Sequence, residues 1–220
     1  SLIDNWLQDP EVVLFMKEHG FSTTKELFIF FMKEVDKIIS GLGKKMITWD
    51  DAFAFDPEQA TGTTVMLWRG SAIAQIALGH KREVIQGPVF PTYFDYAQEV
   101  SEDEPLAIGG PVTLDDVLAF TPLAGVAGIQ FQLWTEYIQT PMHAEYMMWP
   151  RAAALAFRCW GEGEDFESYF AERKPKLDAL GVTIRDVDPL KRAKIAHLGI
   201  GAYHLGFDTA SMMEALEKSA

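Results

Sequence analysis

The sequence contains one cysteine, Cys159, in 220 residues. A single thiol excludes an internal disulfide framework and any metal site built from several cysteines. No apolar run approaches the roughly 20 residues that a membrane-spanning helix requires. Basic residues are also scarce, because 19 Lys and Arg stand against 32 Asp and Glu and give a formal net charge of −13. We expect no nucleic-acid or membrane partner for such an acidic chain, since both partners attract basic surfaces.

Motifs for nucleotides and metals are missing as well. No predicted strand is followed by a glycine-rich phosphate-binding turn, neither Gly-x-Gly-x-x-Gly nor a P-loop. Four histidines are not spaced as metal ligands, and we interpret them as core or surface residues: His80, His143, His197 and His204. The sequence therefore predicts neither a cofactor nor a metal ion.

The sequence does contain an alternation of short strands and helices, with 48% hydrophobic residues to form a core. Strands are predicted over residues 44–49, 63–68, 83–86 and 128–134. The predicted helices begin at Pro10, Thr23, Ser71, Thr113, Met142 and Phe166, and the fifth of them runs to Trp160. This alternation indicates an α/β fold with a parallel sheet. Because the phosphate-binding turn of a doubly wound sheet is missing, we favour half of a (β/α)8 barrel with extra C-terminal helices.

Three of the four predicted strands end on tryptophan, at Trp49, Trp68 and Trp134. Ligands bind at the C-terminal ends of strands in parallel α/β folds, and indole rings offer flat apolar walls that suit a sugar ring. Polar residues that can hydrogen-bond sugar hydroxyls accompany the strand ends: Asp50, Asp51, Arg69, Tyr93, Asp95 and Glu136. We therefore favour a carbohydrate site at this rim over a purely structural role for the indoles.

Two adjacent acids follow the first strand, and they can be either binding residues or structural residues. Asp50 and Asp51 are expected to point to opposite sides of an extended chain, so we do not interpret them as a paired acid and base. One of them is expected to be structural. Arg69 fits equally well as a buried partner of one of these carboxylates and as a ligand-binding residue.

Four segments carry a resemblance to a known family: Ile47-Thr-Trp-Asp-Asp51, Leu67-Trp-Arg-Gly70, Tyr93-Phe-Asp-Tyr96 and Leu133-Trp-Thr-Glu-Tyr137. In this order they resemble the β-N-acetylhexosaminidases of glycoside hydrolase family 20. The next helix of the family is similar to Thr140-Pro141, Glu145-Tyr-Met147 and Pro150-Arg151. The resemblance covers about residues 6–182, and the ordered set is specific where one motif alone is weak. The family usually has Trp-Asp-Glu where this chain has Trp-Asp-Asp51.

The resemblance implies a (β/α)8 barrel that releases terminal β-linked N-acetylglucosamine or N-acetylgalactosamine with retention of configuration. In that mechanism the acetamido oxygen of the sugar attacks the anomeric carbon and forms an oxazolinium intermediate. A glutamic acid protonates the leaving oxygen, and the aspartate before it orients the acetamido group.

The resemblance also implies roles for individual residues. Three tryptophans are similar to the walls of the sugar subsite: Trp49, Trp68 and Trp134. Tyr93 resembles the tyrosine that donates to the acetamido oxygen. Asp95 and Glu136 resemble the acids that hold the outer hydroxyls of the ring.

The catalytic pair of the family is missing from the 220 residues. The family carries it in a Gly-Gly-Asp-Glu motif at the end of the fourth barrel strand, and the sequence contains no such motif. Trp6 and Phe15-Met-Lys17 resemble the positions that follow it. We therefore expect the C-terminal half of the barrel, about strands five to eight, in residues 1–185, and a helical tail in residues 186–220.

Such a half is expected to be inactive by itself, because a general acid cannot be improvised. We expect an amino-sugar glycan as substrate, and pairing with the N-terminal half of the same barrel or self-association. The alternative is a non-catalytic carbohydrate-binding or assembly module. Members of the family are commonly exported or lysosomal, so the resemblance implies a periplasmic, secreted or lysosomal protein.

Overall fold

The computed structural model describes residues 2–60, 62, 64–101, 104–161 and 165–185. Within them the chain forms two compact units. Unit 1 comprises the residues up to 85 together with 125–128, and unit 2 comprises 86–124 and the residues from 129 onward. The predicted boundary between residues 185 and 186 falls at the end of the described residues. It therefore stays a prediction, as does the helical tail.

The strands are short and follow one another in space as they do in sequence. They are β1 (Ile47–Trp49), β2 (Thr64–Leu67), β3 (Glu83–Gln86) and β4 (Gly128–Ile129), in the sheet order β1-β2-β3-β4. β1 and β2 are parallel. An open doubly wound sheet has a position where the strand order reverses, whereas consecutive order is typical of a barrel. The predicted strand 128–134 is wrong in length: β4 has two residues, and the chain beyond it forms one isolated bridge.

The helices of unit 1 are a 3-10 helix (Leu2–Gln8), α1 (Pro10–His19), α2 (Thr24–Gly41), α3 (Asp51–Phe55) and α4 (Ser71–Gly79). Two of them, α1 and α2, begin where the capping residues Asp9 and Thr23 predict, and the 3-10 helix and α3 were not predicted. The Asp9 carboxylate accepts the backbone N–H of Glu11 at 2.9 Å, and Pro10 occupies the first turn. Thr23 and Glu26 form the predicted capping box, in which each side chain accepts the other residue's backbone N–H.

Unit 2 consists mainly of helices and their connections. Its helices are α5 (Val89–Thr92), α6 (Leu114–Ala119), α7 (Pro141–Met148), α8 (Arg151–Trp160) and α9 (Phe166–Ala179). The predicted continuous helix from Met142 to Trp160 is wrong, because the chain leaves helical geometry at Trp149 and resumes at Arg151. The cause is Pro150, which has no backbone N–H to donate and whose ring clashes with the preceding turn.

A buried arginine connects the segments of unit 2. Arg151 is fully buried at the start of α8, and all its hydrogen bonds that the structure describes go to backbone carbonyls. Nη1 donates to the oxygens of Val112 at 2.7 Å and Tyr96 at 3.0 Å, and Nη2 donates to that of Phe94 at 2.7 Å. Nε donates to Met147 at 3.2 Å. Burial lowers the pKa of Arg151 to about 9, so the guanidinium stays charged at neutral pH.

We predict that Arg151→Met lowers the free energy of unfolding by at least about 3 kcal/mol, because several buried carbonyls lose their donor at about 1–3 kcal/mol each. Urea unfolding followed by circular dichroism measures the change. The matched control is Arg173→Met, since Arg173 is partly exposed and stacks on Tyr169 at 3.7 Å. Its cost is expected to be below about 1 kcal/mol. Equal losses in the two variants would contradict the anchoring role of Arg151.

Candidate functional site

Unit 1 carries two of the three tryptophans at its strand ends. Trp49 is the last residue of β1, and Trp68 directly follows β2. Both side chains are half-buried. Trp68 Nε1 donates to Asp51 at 3.2 Å, and the Arg69 guanidinium stacks over the Trp68 ring at 4.4 Å. The orientation of this indole is thus fixed by one carboxylate and one cation.

Asp50 and Asp51 both contact Arg69, so the expectation that they point to opposite sides is wrong. Asp51 accepts Nη2 of Arg69 at 2.7 Å, and Asp50 accepts Nη1. Asp50 also accepts the backbone N–H groups of Trp68 at 3.3 Å and Arg69 at 3.2 Å. The physical reason is that Asp50, the N-cap residue of α3, has helical dihedral angles, so that the chain is not extended here. Arg69 is therefore a carboxylate partner, as one of its two interpretations predicted.

Unit 2 contains a short parallel ladder that carries the other predicted site residues. Tyr93 and Gln132 form a parallel bridge, in which Phe94 N–H donates to the Gln132 oxygen at 2.7 Å and Gln132 N–H donates to Thr92 at 2.9 Å. The rings of Phe94 and Phe131 stack at 4.8 Å. Because side chains alternate along extended chains, these two rings mark one face of the ladder.

The opposite face carries the polar residues. Tyr93 and Gln132 share it as bridge partners. Asp95 follows Tyr93 by two residues in a turn, and Trp134 follows Gln132 by two residues. The Asp95 carboxylate accepts the backbone N–H of Trp134. Trp134 is 45% exposed, and Glu136 is exposed close enough for its charge to act on Asp95. Unit 2 therefore brings an indole, a phenol and two carboxylates together.

Asp95 is the buried acid of this group. It is 6% exposed, and its Oδ1 has no hydrogen-bond partner among the described residues. Burial raises the pKa of Asp95 to about 6, although the backbone donors and Arg151 act in the opposite direction. Burial likewise raises the pKa of Asp50 to about 6, against the attraction of Arg69. Both acids are ionised at neutral pH.

Gln132 was not identified from the sequence. It is 8% exposed, and its Nε2 has no hydrogen-bond partner in the described part of the chain. The signal that indicates it is the alternation in Ile129-Gln-Phe-Gln-Leu-Trp134, which gives Gln132 the same face as the indole of Trp134. A glutamine carries no charge, so residue type alone did not indicate a site.

The histidines and acids of the described residues form no group of three or more that could hold a metal ion. His143 is buried, its two ring nitrogens lack partners in the described part, and burial lowers its pKa. His80 lies 3.5 Å from Glu58. His197 and His204 lie outside the described residues. No described helix has the length and apolar character that crossing a membrane requires.

The sequence model of the glycosyl hydrolase family 20 catalytic domain matches residues 2–163. The chain belongs to glycosyl hydrolase family 20. The β-hexosaminidase of Porphyromonas gingivalis is 33% identical to this chain over 155 residues, which cover 66% of the chain and 20% of that relative. The β-hexosaminidase of Vibrio furnissii is 29% identical over 162 residues, which cover 69% and 26%.

A solved family 20 structure has the same fold. The exo-β-N-acetylglucosaminidase of Vibrio harveyi, crystallised with N-acetylglucosamine, superposes with a TM-score of 0.73 at 27% identity, over 82% of this chain and 30% of that chain. The predicted fold class, parallel β/α units of a partial (β/α)8 barrel, is confirmed. The chain spans only a fifth to three tenths of the length of these three relatives.

We predict that the side-chain carboxyl carbons of Asp50 and Asp95 titrate near pH 6 in a 13C NMR pH series. Asp165 is the control, because hydrogen bonds from Ser168 hold its pKa below the usual 3.8. A folded-state pKa above that of the unfolded chain means that the folded state binds the proton more tightly. The free energy of unfolding therefore falls as pH rises from about 4 to 6.

Asp50→Asn and Asp95→Asn should each flatten that fall, because each removes one buried titrating group. A titration of Asp95 near pH 4, together with that of the exposed acids, would show that water reaches its carboxylate and would contradict the described burial.

Proposed function

We propose that this chain forms part of the substrate site of a retaining β-N-acetylhexosaminidase. The enzyme releases terminal β-linked N-acetylglucosamine or N-acetylgalactosamine from glycans. The sugar's acetamido oxygen forms a bond to the anomeric carbon while the bond from that carbon to the leaving oxygen breaks. The leaving oxygen takes a proton from a carboxylic acid, and water then opens the oxazolinium ring.

The observation that carries this proposal is the composition of the ladder face in unit 2. A buried carboxylate whose Oδ1 has no partner among the described residues, at Asp95, lies beside a half-exposed indole at Trp134. A pyranose ring presents apolar C–H groups on its faces and hydroxyls at its edge. The indole can stack on the C–H groups, and the carboxylates of Asp95 and Glu136 can accept hydrogen bonds from the hydroxyls.

Tyr93 completes the proposed contacts of unit 2. A phenol at this position suits a donor to the acetamido oxygen, because one hydrogen bond holds that oxygen in the orientation from which it approaches the anomeric carbon. In unit 1, Trp49 and Trp68 are proposed to offer indole faces to the sugar.

The acid that protonates the leaving group is proposed to come from outside the 220 residues. These residues contain no Gly-Gly-Asp-Glu motif, and the one Asp-Glu pair is Asp103-Glu104. Glu104 is buried and accepts hydrogen bonds from Tyr146 at 2.6 Å and from Arg185 at 3.2 Å. A carboxylate that is already held by a phenol and a guanidinium inside unit 2 does not suit a general acid for an incoming glycoside.

We predict that the purified chain binds N-acetylglucosamine more tightly than glucose, and that Tyr93→Phe removes most of this difference. One hydrogen bond to the acetamido group corresponds to a change of about threefold to tenfold in affinity. Isothermal titration at millimolar sugar measures it. The same preparations should not hydrolyse a chromogenic β-N-acetylglucosaminide above the level of Glu136→Gln.

The control is Tyr137→Phe, which removes a phenol from the segment of Trp134 and Glu136 at a position to which no role is assigned. Two results would overturn the proposal: equal affinity of the chain for glucose and N-acetylglucosamine, or turnover that Glu136→Gln abolishes. The second would mean that this chain contains the complete catalytic apparatus.

We further propose that unit 1 associates with another part of a barrel. Within the described residues β1 has one neighbouring strand, and its Ile47 is exposed. Large apolar side chains of α2 are exposed as well, including Ile38 at 66%. A groove of about 400 Å³ beside them is lined mainly by apolar residues: Trp6, Val12, Phe15, Leu27 and Phe31. An exposed strand edge and an exposed apolar helix face each favour association.

We predict that the chain self-associates at micromolar concentration when no other barrel segment is present. Ile38→Glu should shift it toward monomer, because a charge on the apolar face must be desolvated in the interface. Light scattering after size-exclusion chromatography measures the mass. Lys37→Glu, at the neighbouring exposed position of α2, introduces the same carboxylate where a charge is already present and should leave the mass unchanged. A monomer at all concentrations would contradict the proposed interface.

A further inference from the structure

Two buried polar atoms on the ladder face of unit 2 have no hydrogen-bond partner among the described residues. One is Asp95 Oδ1, an acceptor, and the other is Gln132 Nε2, a donor. Both side chains are more than nine-tenths buried. An unsatisfied buried polar group is destabilising, so proteins retain such groups where a water molecule or a ligand completes them.

The ladder register places these two side chains next to each other. Tyr93 and Gln132 are bridge partners, and Asp95 lies one step further, where its carboxylate accepts the N–H of Trp134. Trp134 follows Gln132 by two residues, which span at most about 6.6 Å of extended chain. The Asp95 carboxylate, held at the Trp134 N–H, and the long side chain of Gln132 can therefore both reach a single oxygen atom between them.

A neighbouring glutamine fixes which end of the Gln132 amide is available. Gln130 Nε2 donates to Gln132 Oε1 at 3.3 Å. The acceptor of the Gln132 amide, Oε1, therefore already has a hydrogen bond, and its donor, Nε2, has no partner among the described residues. The pair consists of one fixed donor and one fixed acceptor, Gln132 Nε2 and Asp95 Oδ1.

We propose that Gln132 is a further substrate-binding residue, whose Nε2 donates to the same sugar hydroxyl that donates to Asp95 Oδ1. The inference rests on the proposed function. A hydroxyl is the group that fits, because it accepts and donates through one oxygen. An ammonium cannot accept from the amide, and a carboxylate would be repelled by Asp95. Two fixed partners also restrict the direction of the C–O bond, so Gln132 contributes to discrimination between epimers.

Binding of N-acetylglucosamine and of its 3-, 4- and 6-deoxy analogues tests this proposal. The proteins are the wild-type chain, Gln132→Leu and the control Gln139→Leu, which removes an exposed amide of unit 2. Titration calorimetry or ligand-observed NMR gives each affinity. Gln132→Leu should weaken N-acetylglucosamine about threefold to tenfold, as expected for one hydrogen bond. It should leave unchanged the affinity for one analogue, the one that lacks the shared hydroxyl, and Gln139→Leu should change none.

Asp95→Asn identifies the same hydroxyl independently, because its effect should also vanish for that one analogue. If Gln132→Leu does not fold, as judged by circular dichroism, Gln132→Met keeps the length of the side chain, removes the donor without adding a charge, and should show the same pattern.

The possible failures are distinguishable. A wild-type chain that does not bind N-acetylglucosamine would overturn the proposed substrate site and the role of Gln132 with it. If the wild type binds while the Gln132 variants weaken all analogues by one common factor, or none, the proposed function survives and the inference fails. That second pattern is expected where an internal water molecule alone joins Gln132 to Asp95.

Discussion

A guanidinium buried away from water organises the part of unit 2 on which the proposed site depends. Arg151 donates to the carbonyls of Phe94 and Tyr96, which lie on either side of Asp95. Its plane also covers the Phe94 ring at 4.8 Å. A buried charge is costly unless it is fully hydrogen-bonded, and the rigid fork of arginine donors satisfies that requirement with backbone acceptors alone. The backbone that carries Asp95 is thereby fixed from both sides.

In unit 1 a second arginine fixes residues at a strand end through a different set of partners. Arg69 stacks on the ring of Trp68 and binds two carboxylates, Asp50 and Asp51. In both units an arginine on an aromatic ring fixes residues at a strand end. The difference lies in what the cation neutralises. Arg69 compensates acids directly, whereas Arg151 acts on Asp95 only through its charge and through the carbonyls, which leaves one oxygen of Asp95 for another donor.

The local features of the fold were predictable, and the features that depend on distant contacts were not. The capping residues Asp9 and Thr23 locate helix starts, because their partners lie within three residues. The role of Arg151 depends on carbonyls 39 to 57 residues away, which no spacing in the sequence indicates. Pro150 by itself indicates a helix break, because proline cannot continue a helix. The prediction of one continuous helix over residues 142–160 overlooked this local signal.

The same distinction holds for the candidate site: residues that are conspicuous by type can be predicted, and residues whose role depends on the folded chain cannot. Aromatic and charged residues at strand ends are conspicuous, so the sequence indicates Trp134, Tyr93 and Asp95 as candidates, and their roles stay predictions. Asp50 was assigned the wrong direction, because one residue with helical dihedral angles changes where all following side chains point. Gln132 was missed because an uncharged amide becomes significant only when burial deprives it of water, and burial is a property of the folded chain.

The two buried acids show how stability and binding are coupled here. Burial raises the pKa of Asp50 and of Asp95 to about 6, so at neutral pH the folded chain holds two carboxylates ionised in surroundings that disfavour the charge. Asp50 already receives donors from Arg69 and from the backbone. Asp95 Oδ1 has no such donor among the described residues, and a hydroxyl that donates to it stabilises the ionised form. We therefore expect the sugar of the proposed site to lower the pKa of Asp95 and to leave that of Asp50 nearly unchanged, because binding and proton release are linked.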